Sequence, residues 1–260
     1  MTKTSNKKRE SLANIVEAYH LSHKRLILLD YDGTIVSFVS YPDQAKPSAR
    51  AMSIIKKLAT DSDNTIVIIS GRDKSALDKW LGRLPIWFVA EHGAFEKQGR
   101  EWRTTITMSS AWKDRFRPIM QSYLLEVPGS LLEEKETALV FHYRDATNQD
   151  TAIALAEKLF HKLEPLVNKF KLVAQREHMS IEIRQGGANK GTSSSLEVSR
   201  SNYDFIMCAG DGETDEDMFK KLAGQAFCVK IGPGKTAANY RLNSPKELID
   251  LLAKLAAAYE

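Results

Sequence analysis

Cysteine is scarce in this chain: Cys208 and Cys228 are the only two in 260 residues, and each lies in an apolar, strand-like stretch. That excludes a disulfide framework or a thiolate metal site and reads as a pair of reduced core thiols, as in a cytoplasmic protein. Long apolar runs are missing as well. None approaches the ~20 residues that span a bilayer, and the N-terminus reads as lacking a signal peptide's apolar region, so no membrane association is expected. Net charge is only +4, and no block of Lys or Arg carries interleaved aromatics, so nucleic acid is not an expected partner. The short basic start, Lys3, Lys7, Lys8 and Arg9, is most simply a solvated tail. His20 and His23 form an H-x-x-H without Cys or acidic partners at ligand spacing and read as ordinary residues. There is no internal repeat and no low-complexity segment. What remains is a globular composition, 43% hydrophobic and 27% charged, long enough for one large domain or a core plus a smaller one.

Short β-branched runs alternate with longer amphipathic ones. Leu26–Asp30, Thr65–Ser70 and Ile86–Ala90 read as buried strands without apolar/polar alternation. Between them, Pro47–Asp61 reads as a helix with Pro47 in its first turn and Ala49, Met52, Ile55 and Leu58 or Ala59 on one face; Asp73–Leu81 reads as another. Such an order predicts a parallel sheet covered on both faces. From about Ser109 to Gln185 the pattern changes to a helix, two alternating runs (Thr137–Tyr143 and Ser180–Arg184), and an amphipathic helix between them. Alternation predicts an antiparallel sheet with one open face. After Gly186-Gly187 the first pattern resumes, with a helix near Lys190–Ser199, strand Phe205–Ala209, helix Asp215–Leu222, strand Ala226–Ile231 and a closing helix Pro245–Ala258. The expected fold is α/β: a doubly wound, Rossmann-like parallel-sheet core (residues 25–108 and 186–260), an inserted α+β cap (109–185), and a lead-in or linker over residues 1–24.

The chemistry begins at Asp30-Tyr31-Asp32-Gly33-Thr34, which ends the first buried strand. Asp is a poor strand residue, and carboxylates this close raise each other's pKa unless a cation shares them. Alone the run could still be a loop with a capping Asp. A second acidic cluster, Gly210-Asp211-Gly212-Glu213-Thr214-Asp215-Glu216-Asp217, follows another apolar strand far downstream. Ligands of open α/β sheets collect at the strands' C-terminal ends. There the pattern places Asp30, Asp32, Ser70, Asp211 and Asp215, with Lys190 opening a nearby helix. Carboxylates, a hydroxyl and one ammonium suit Mg²⁺ and a phosphoryl group.

Taken in order, these motifs, with Ser70-Gly71-Arg72 and Lys190-Gly191, resemble the four motifs of haloacid-dehalogenase-type phosphatases. Within that superfamily the chain resembles the trehalose-6-phosphate phosphatases over roughly Arg25 to Leu252, through Ala90-Glu91-His92-Gly93, Glu134-Lys135, His142-Tyr143-Arg144, Glu182-Ile183-Arg184 and Thr214-Asp215-Glu216-Asp217-Met218-Phe219. The resemblance implies that Asp30 attacks phosphorus and becomes an aspartyl phosphate, and that Asp32 protonates the leaving sugar oxygen and then activates water. Ser70 and Lys190 would bind phosphoryl oxygens. Asp30, the Asp32 carbonyl and Asp211 would hold Mg²⁺, with Asp215 in or next to that shell. A sugar phosphate would be read by Gly71, Arg72, Glu91, His92, Gly93, Glu134, Lys135, His142, Arg144, Glu182 and Arg184. The family pattern carries a second Asp after the Asp211 position. Here Gly212 stands in its place, which leaves open compensation by Glu213 or a lower metal affinity.

Two rivals stand beside trehalose 6-phosphate hydrolysis. One keeps the chemistry and changes the substrate to sucrose phosphate, mannosyl-phosphoglycerate or a hexose phosphate. The other is a non-catalytic domain that binds sugar phosphate and regulates a glycosyltransferase. Its motive is Tyr19-x-x-Ser22-x-x-Arg25, which resembles the lead-in found where this phosphatase is fused behind a trehalose-phosphate synthase, with Thr2–Ser11 as a residual linker. The synthase, as a domain or a partner, is then an expected companion. Gly232-Pro233-Gly234-Lys235-Thr236 reads as a turn, since Val229 replaces a P-loop's first Gly. Trp80, Trp87, Trp102 and Trp112 read as packing residues.

Overall fold

Leu26, Ile27 and Leu28 are completely buried because their strand lies mid-sheet with helices on both faces. The computed structural model describes residues 11–39, 41–107 and 109–257; the basic start, most of the Thr2–Ser11 stretch and Ala258 fall outside them. In chain order the core begins with α1 (Leu12–Leu21), β1 (Arg25–Leu29), α2 (Ala49–Thr60), β2 (Asn64–Ile69), α3 (Lys74–Leu81) and β3 (Trp87–Ala90). Two short strands follow, β4 (Phe95–Lys97) and β5 (Trp102–Thr104). The inserted module holds α4 (Lys113–Glu126), β6 (Leu131–Glu134), β7 (Ala138–His142), α5 (Gln149–Val167), β8 (Leu172–Glu177) and β9 (Ser180–Gln185). The chain returns through α6 (Lys190–Ser199), β10 (Phe205–Gly210), α7 (Glu213–Lys221), β11 (Phe227–Ile231), β12 (Tyr240–Leu242) and α8 (Pro245–Leu255).

The core sheet runs β12-β11-β10-β1-β2-β3-β4-β5, parallel as far as β3 and antiparallel beyond it. The expected doubly wound core is therefore present. The second sheet, β6-β7-β9-β8, is wholly antiparallel. Among the described residues, no helix is long and apolar enough to cross a membrane. Cys208 and Cys228 are free, buried partners in the β10–β11 register, with sulfurs 3.3 Å apart.

Several details depart from the sequence reading. The helix expected from Pro47 starts at Ala49, because Ser48 accepts the Ala51 N–H at 3.1 Å and caps it. Pro47 is buried ahead of the cap, Ala49 is exposed, and the inward face is Ala51, Ile55 and Leu58. Residues 12–21, expected in a lead-in, form a capped helix that buries Ile15 and Tyr19 in the main core. The open cap face is not open: β7 is buried through Phe141 and β9 through Arg184. One side packs on α4 and α5, and the other is turned toward the core sheet's edge. Alternation in sequence records two faces of different polarity, not which of them meets water.

Candidate active site

Asp30 continues β1 by donating its N–H to the Ala209 carbonyl at 3.0 Å, so the sheet itself fixes the carboxylate at its C-terminal edge. The chain then turns sharply. Gly33 has φ +74°, donates to the Val36 carbonyl at 2.7 Å, and packs directly against the Asp211 carboxyl group, where no side chain would fit. Lys190 opens α6 beneath the Asn189 cap, which accepts the Thr192 N–H at 2.8 Å. Its buried ammonium lies 2.7 Å from Asp30 Oδ1 and 2.8 Å from Asp215 Oδ1. Thr34 donates to Asp30 Oδ2 at 3.0 Å. Asp215 Oδ2 accepts the N–H groups of Asp211 and Gly212 at 3.0 and 2.9 Å, closing the start of α7.

Electrostatics mark this centre. Burial pushes the Asp30 carboxyl well above its usual range; Lys190 opposes that rise, while Asp215 and Asp211 add to it. Asp211 is pushed up to about 6 by burial and then by Asp215. Burial alone would lower Lys190, but Asp215 and Asp30 outweigh it and hold the ammonium above its usual value. Oxygens of Asp30, Asp211 and Asp215 lie within 4.8 Å of one another. An all-carboxylate donor set that like charges are crowding fits a hard cation. Asp215 accepts from Lys190 and two backbone N–H groups and Asp30 from Lys190 and Thr34, which leaves Asp211, approached by Thr34 at 3.4 Å, the least engaged of the three.

The crowding has a measurable consequence in metal-free protein. Between the ordinary carboxylate pKa, about 4, and the folded value, about 6, folded Asp211 keeps a proton that the unfolded chain releases. Stability relative to Asp211→Asn should therefore fall as pH rises through that window, by at most about 3 kcal/mol. Melting in EDTA across pH 4 to 7 checks it; a flat difference would refute the crowding.

Around the centre, Ser70 follows β2 and accepts the Arg72 N–H at 3.2 Å. Arg72 grips both oxygens of Asp32 at 2.7 Å. The Glu91-His92-Gly93 turn has φ of 45°, 58° and 114°, a left-handed run that sets the His92 ring against Gly71. A Cβ on Gly71 would stand 2.6 Å from His92 Nε2. That ring nitrogen meets Glu182 at 2.9 Å, bridging core and cap. Lys135 donates to the Gly71 carbonyl at 3.0 Å and lies 3.4 Å from Glu182. Burial would raise Glu182, but His92 and Lys135 outweigh it and hold the carboxyl well below its usual range. A cleft of about 1020 Å³ separates these two faces.

Asp30, Asp32, Ser70, Gly71, Arg72, His92, Lys135, His142, Arg144, Glu182, Lys190, Asp211 and Asp215 all line the cleft. Four expected sugar-site residues do not. Glu134 pairs in register with Leu139 on the helix-facing side of the sheet, 3.3 Å from Lys113 and 3.0 Å from Arg117 of α4. Its neighbour Glu133 pairs with Val140, faces the cleft and meets His142 at 2.7 Å. Glu91 Oε2 accepts the Thr137 N–H at 2.7 Å while its buried Oε1 has no hydrogen-bond partner, and Gly93 packs against Ser193. Arg184 donates to the Ala188 carbonyl at 2.7 Å in the chain's return to α6.

Sequence reasoning missed Thr34, Glu133, Glu177 and Lys230. Lys230 carried a signal, since a lysine inside the apolar run Phe227–Ile231 needs a buried acceptor; here it is the Asp211 carbonyl. Glu133 and Glu177 carried none, because their placement depends on pairing register. Trp80, read as packing, lines the cleft, and so do Gly234 and Lys235 of the P-loop-like turn.

A Rossmann-like sheet with Asp30, Ser70, Lys190 and Asp211 at its carboxyl edge, under an inserted α+β cap, defines the haloacid-dehalogenase type of phosphatase fold, and with it a divalent-cation centre. Residues 28–246 match the model of the trehalose-phosphatase family, and the chain belongs to that family. It is 37% identical over 233 residues to a bifunctional trehalose-6-phosphate synthase/phosphatase of Thermoproteus tenax, covering 89% of this chain and 32% of the relative. A trehalose-phosphatase of Zygosaccharomyces rouxii is 36% identical over 287 residues, covering 93% and 32%. The chain thus spans about a third of the length of these relatives. The C-terminal domain of the Candida albicans trehalose-6-phosphate phosphatase superposes with a TM-score of 0.87 at 34% identity, covering 95% of this chain and 97% of that one.

Proposed function

We propose that this chain hydrolyses trehalose 6-phosphate to trehalose and phosphate, with residues 109–185 acting as the cap. What carries the reading is one cleft that sets the Asp30–Lys190–Asp211 centre opposite a cap face of Glu133, Lys135, His142 and Glu182. Charged groups in pairs recognise hydroxyls, as a disaccharide requires. Uncatalysed phosphate monoesters are slow enough that acceleration can reach on the order of 10²¹-fold.

In the proposed mechanism an Asp30 oxygen attacks phosphorus while the bond to the sugar oxygen breaks, and Asp32 gives that oxygen its proton. Arg72 clamps Asp32 in this structure, so productive binding requires that pair to open toward the leaving group. Asp32 then takes a proton from the water that cleaves the aspartyl phosphate, restoring Asp30. Lys190 and Ser70 hold phosphoryl oxygens throughout. Mg²⁺ at Asp30, Asp211 and the Asp32 carbonyl, next to Asp215, would neutralise charge between carboxylate and phosphoryl group. The free, buried thiols of Cys208 and Cys228 support a cytoplasmic setting. Because the relatives are about three times as long and one is named a synthase/phosphatase, a trehalose-phosphate synthase domain or partner is part of the proposal.

Phosphate release with Mg²⁺ across trehalose, sucrose, glucose and mannose phosphates tests it. Trehalose 6-phosphate should be preferred by on the order of 100-fold, since lost hydroxyl contacts leave buried charged groups unpaired, and EDTA should stop turnover. Broad activity would keep the centre and discard the substrate. No activity on any of them would favour the sugar-phosphate-binding regulatory domain.

A further inference from the structure

The acidic loop that starts α7 has no side chain at Gly212, and a carboxylate from the other sheet stands in front of it. Glu177 ends β8 in the cap. Its Oε2 lies 3.7 Å from where a Cβ on Gly212 would stand, the same distance as Asp215 Oδ2. Glu177 therefore already presents carboxylate oxygen at the reach of an acidic side chain on residue 212. Its other oxygen, Oε1, is buried and has no hydrogen-bond partner. Glu177 lines the same cleft as Asp30, Lys190, Asp211 and Asp215, on the cap side, outside the group of Asp30, Asp211 and Asp215 oxygens that lie within 4.8 Å of one another. Lys190 is already engaged by two carboxylates. Glu213, the sequence's candidate to compensate for Gly212, is exposed at the rim of the cleft. An ionised carboxylate held in that position with an unpartnered buried oxygen is costly unless a proton or a cation shares it, and burial pushes this carboxyl up to about 8.

We propose that Glu177 contributes its carboxylate to the divalent-cation site from the cap, taking the part that a side chain on residue 212 cannot play. This rests on the reading of Asp30 and Asp211 as that site. Cation binding and cap closure then strengthen each other, because the ion gains a ligand group only when the cap brings β8 over α7. Gly212 has φ −98°, which an L-residue adopts without strain, so an acidic side chain can be supplied there experimentally.

The probe is Mn²⁺, titrated calorimetrically into the whole EDTA-treated chain without substrate. Glu177→Gln, nearly the same shape as the protonated acid, should fold and bind Mn²⁺ on the order of tenfold more weakly than wild type. Adding Gly212→Asp to that variant should recover most of the loss. Mn²⁺ should also slow amide exchange at residues 176–180 in wild type and not in Glu177→Gln. Equal Mn²⁺ affinity for wild type and Glu177→Gln would overturn the assignment while leaving the metal centre intact. No Mn²⁺ uptake by wild type would overturn both.

Discussion

Asp30→Asn should leave the protein folded and lower phosphate release by at least ~10⁴-fold, the scale on which removing a covalent nucleophile acts. The amide matches the carboxyl in size but cannot form an acyl phosphate. Folding should not suffer: Asp30 is buried and crowded by Asp215 and Asp211, so neutralising it removes an unfavourable charge while Lys190 keeps Asp215. The melting temperature is expected to hold or rise. Turnover within about tenfold of wild type would refute the nucleophile assignment. A melting temperature that fell sharply would instead show that the Asp30–Lys190 pair carries structural weight.

The opposite pairing of effects is expected for Lys190→Ala. Removing this ammonium leaves Asp30 and Asp215 buried without the cation that bonds both, at 2.7 and 2.8 Å. Breaking a buried ion pair from one side costs about 3–5 kcal/mol, because the remaining charge stays desolvated. For a chain of this length that lowers the melting temperature by on the order of 10 °C. Activity should collapse as well, since the phosphoryl group loses a donor and Asp30 is driven further toward its protonated, non-nucleophilic form. The two substitutions separate cleanly: one disables chemistry and spares the fold, the other damages both. Thermal melts beside phosphate-release assays read the difference. An unchanged melting temperature for Lys190→Ala would mean that the carboxylates rearrange to water at little cost.

The proposed catalytic edge was legible because its residues sit in local signals that point the same way once combined. Asp30 and Asp211 each end a short apolar run that reads as a buried strand, and parallel strands bring their C-terminal ends to one edge. Ser70 follows a third such run, and Lys190 follows a capping Asn that fixes where its helix starts. The cap was less legible. Glu133 and Glu134 are adjacent in sequence, and only the pairing with β7 decides which faces the cleft; a shift of one residue exchanges them. Glu91, promising at a strand's end, has its carboxylate turned to the Thr137 backbone, a contact across 46 positions that no local pattern encodes.

Legible in the chain alone were the five buried strands of the parallel core, the four motifs and the family; the strand order and the strands β4, β5 and β12 were not. Buried strands and helix caps are local properties of composition and spacing, so they survive without knowledge of the rest of the molecule. Folding in three dimensions settled which polar residues the cap presents, and that Glu177 stands 3.7 Å from where a Cβ on Gly212 would be. Those outcomes depend on strand register and on the docking of one sheet over the other, which are set by long-range packing and not by neighbours in the chain.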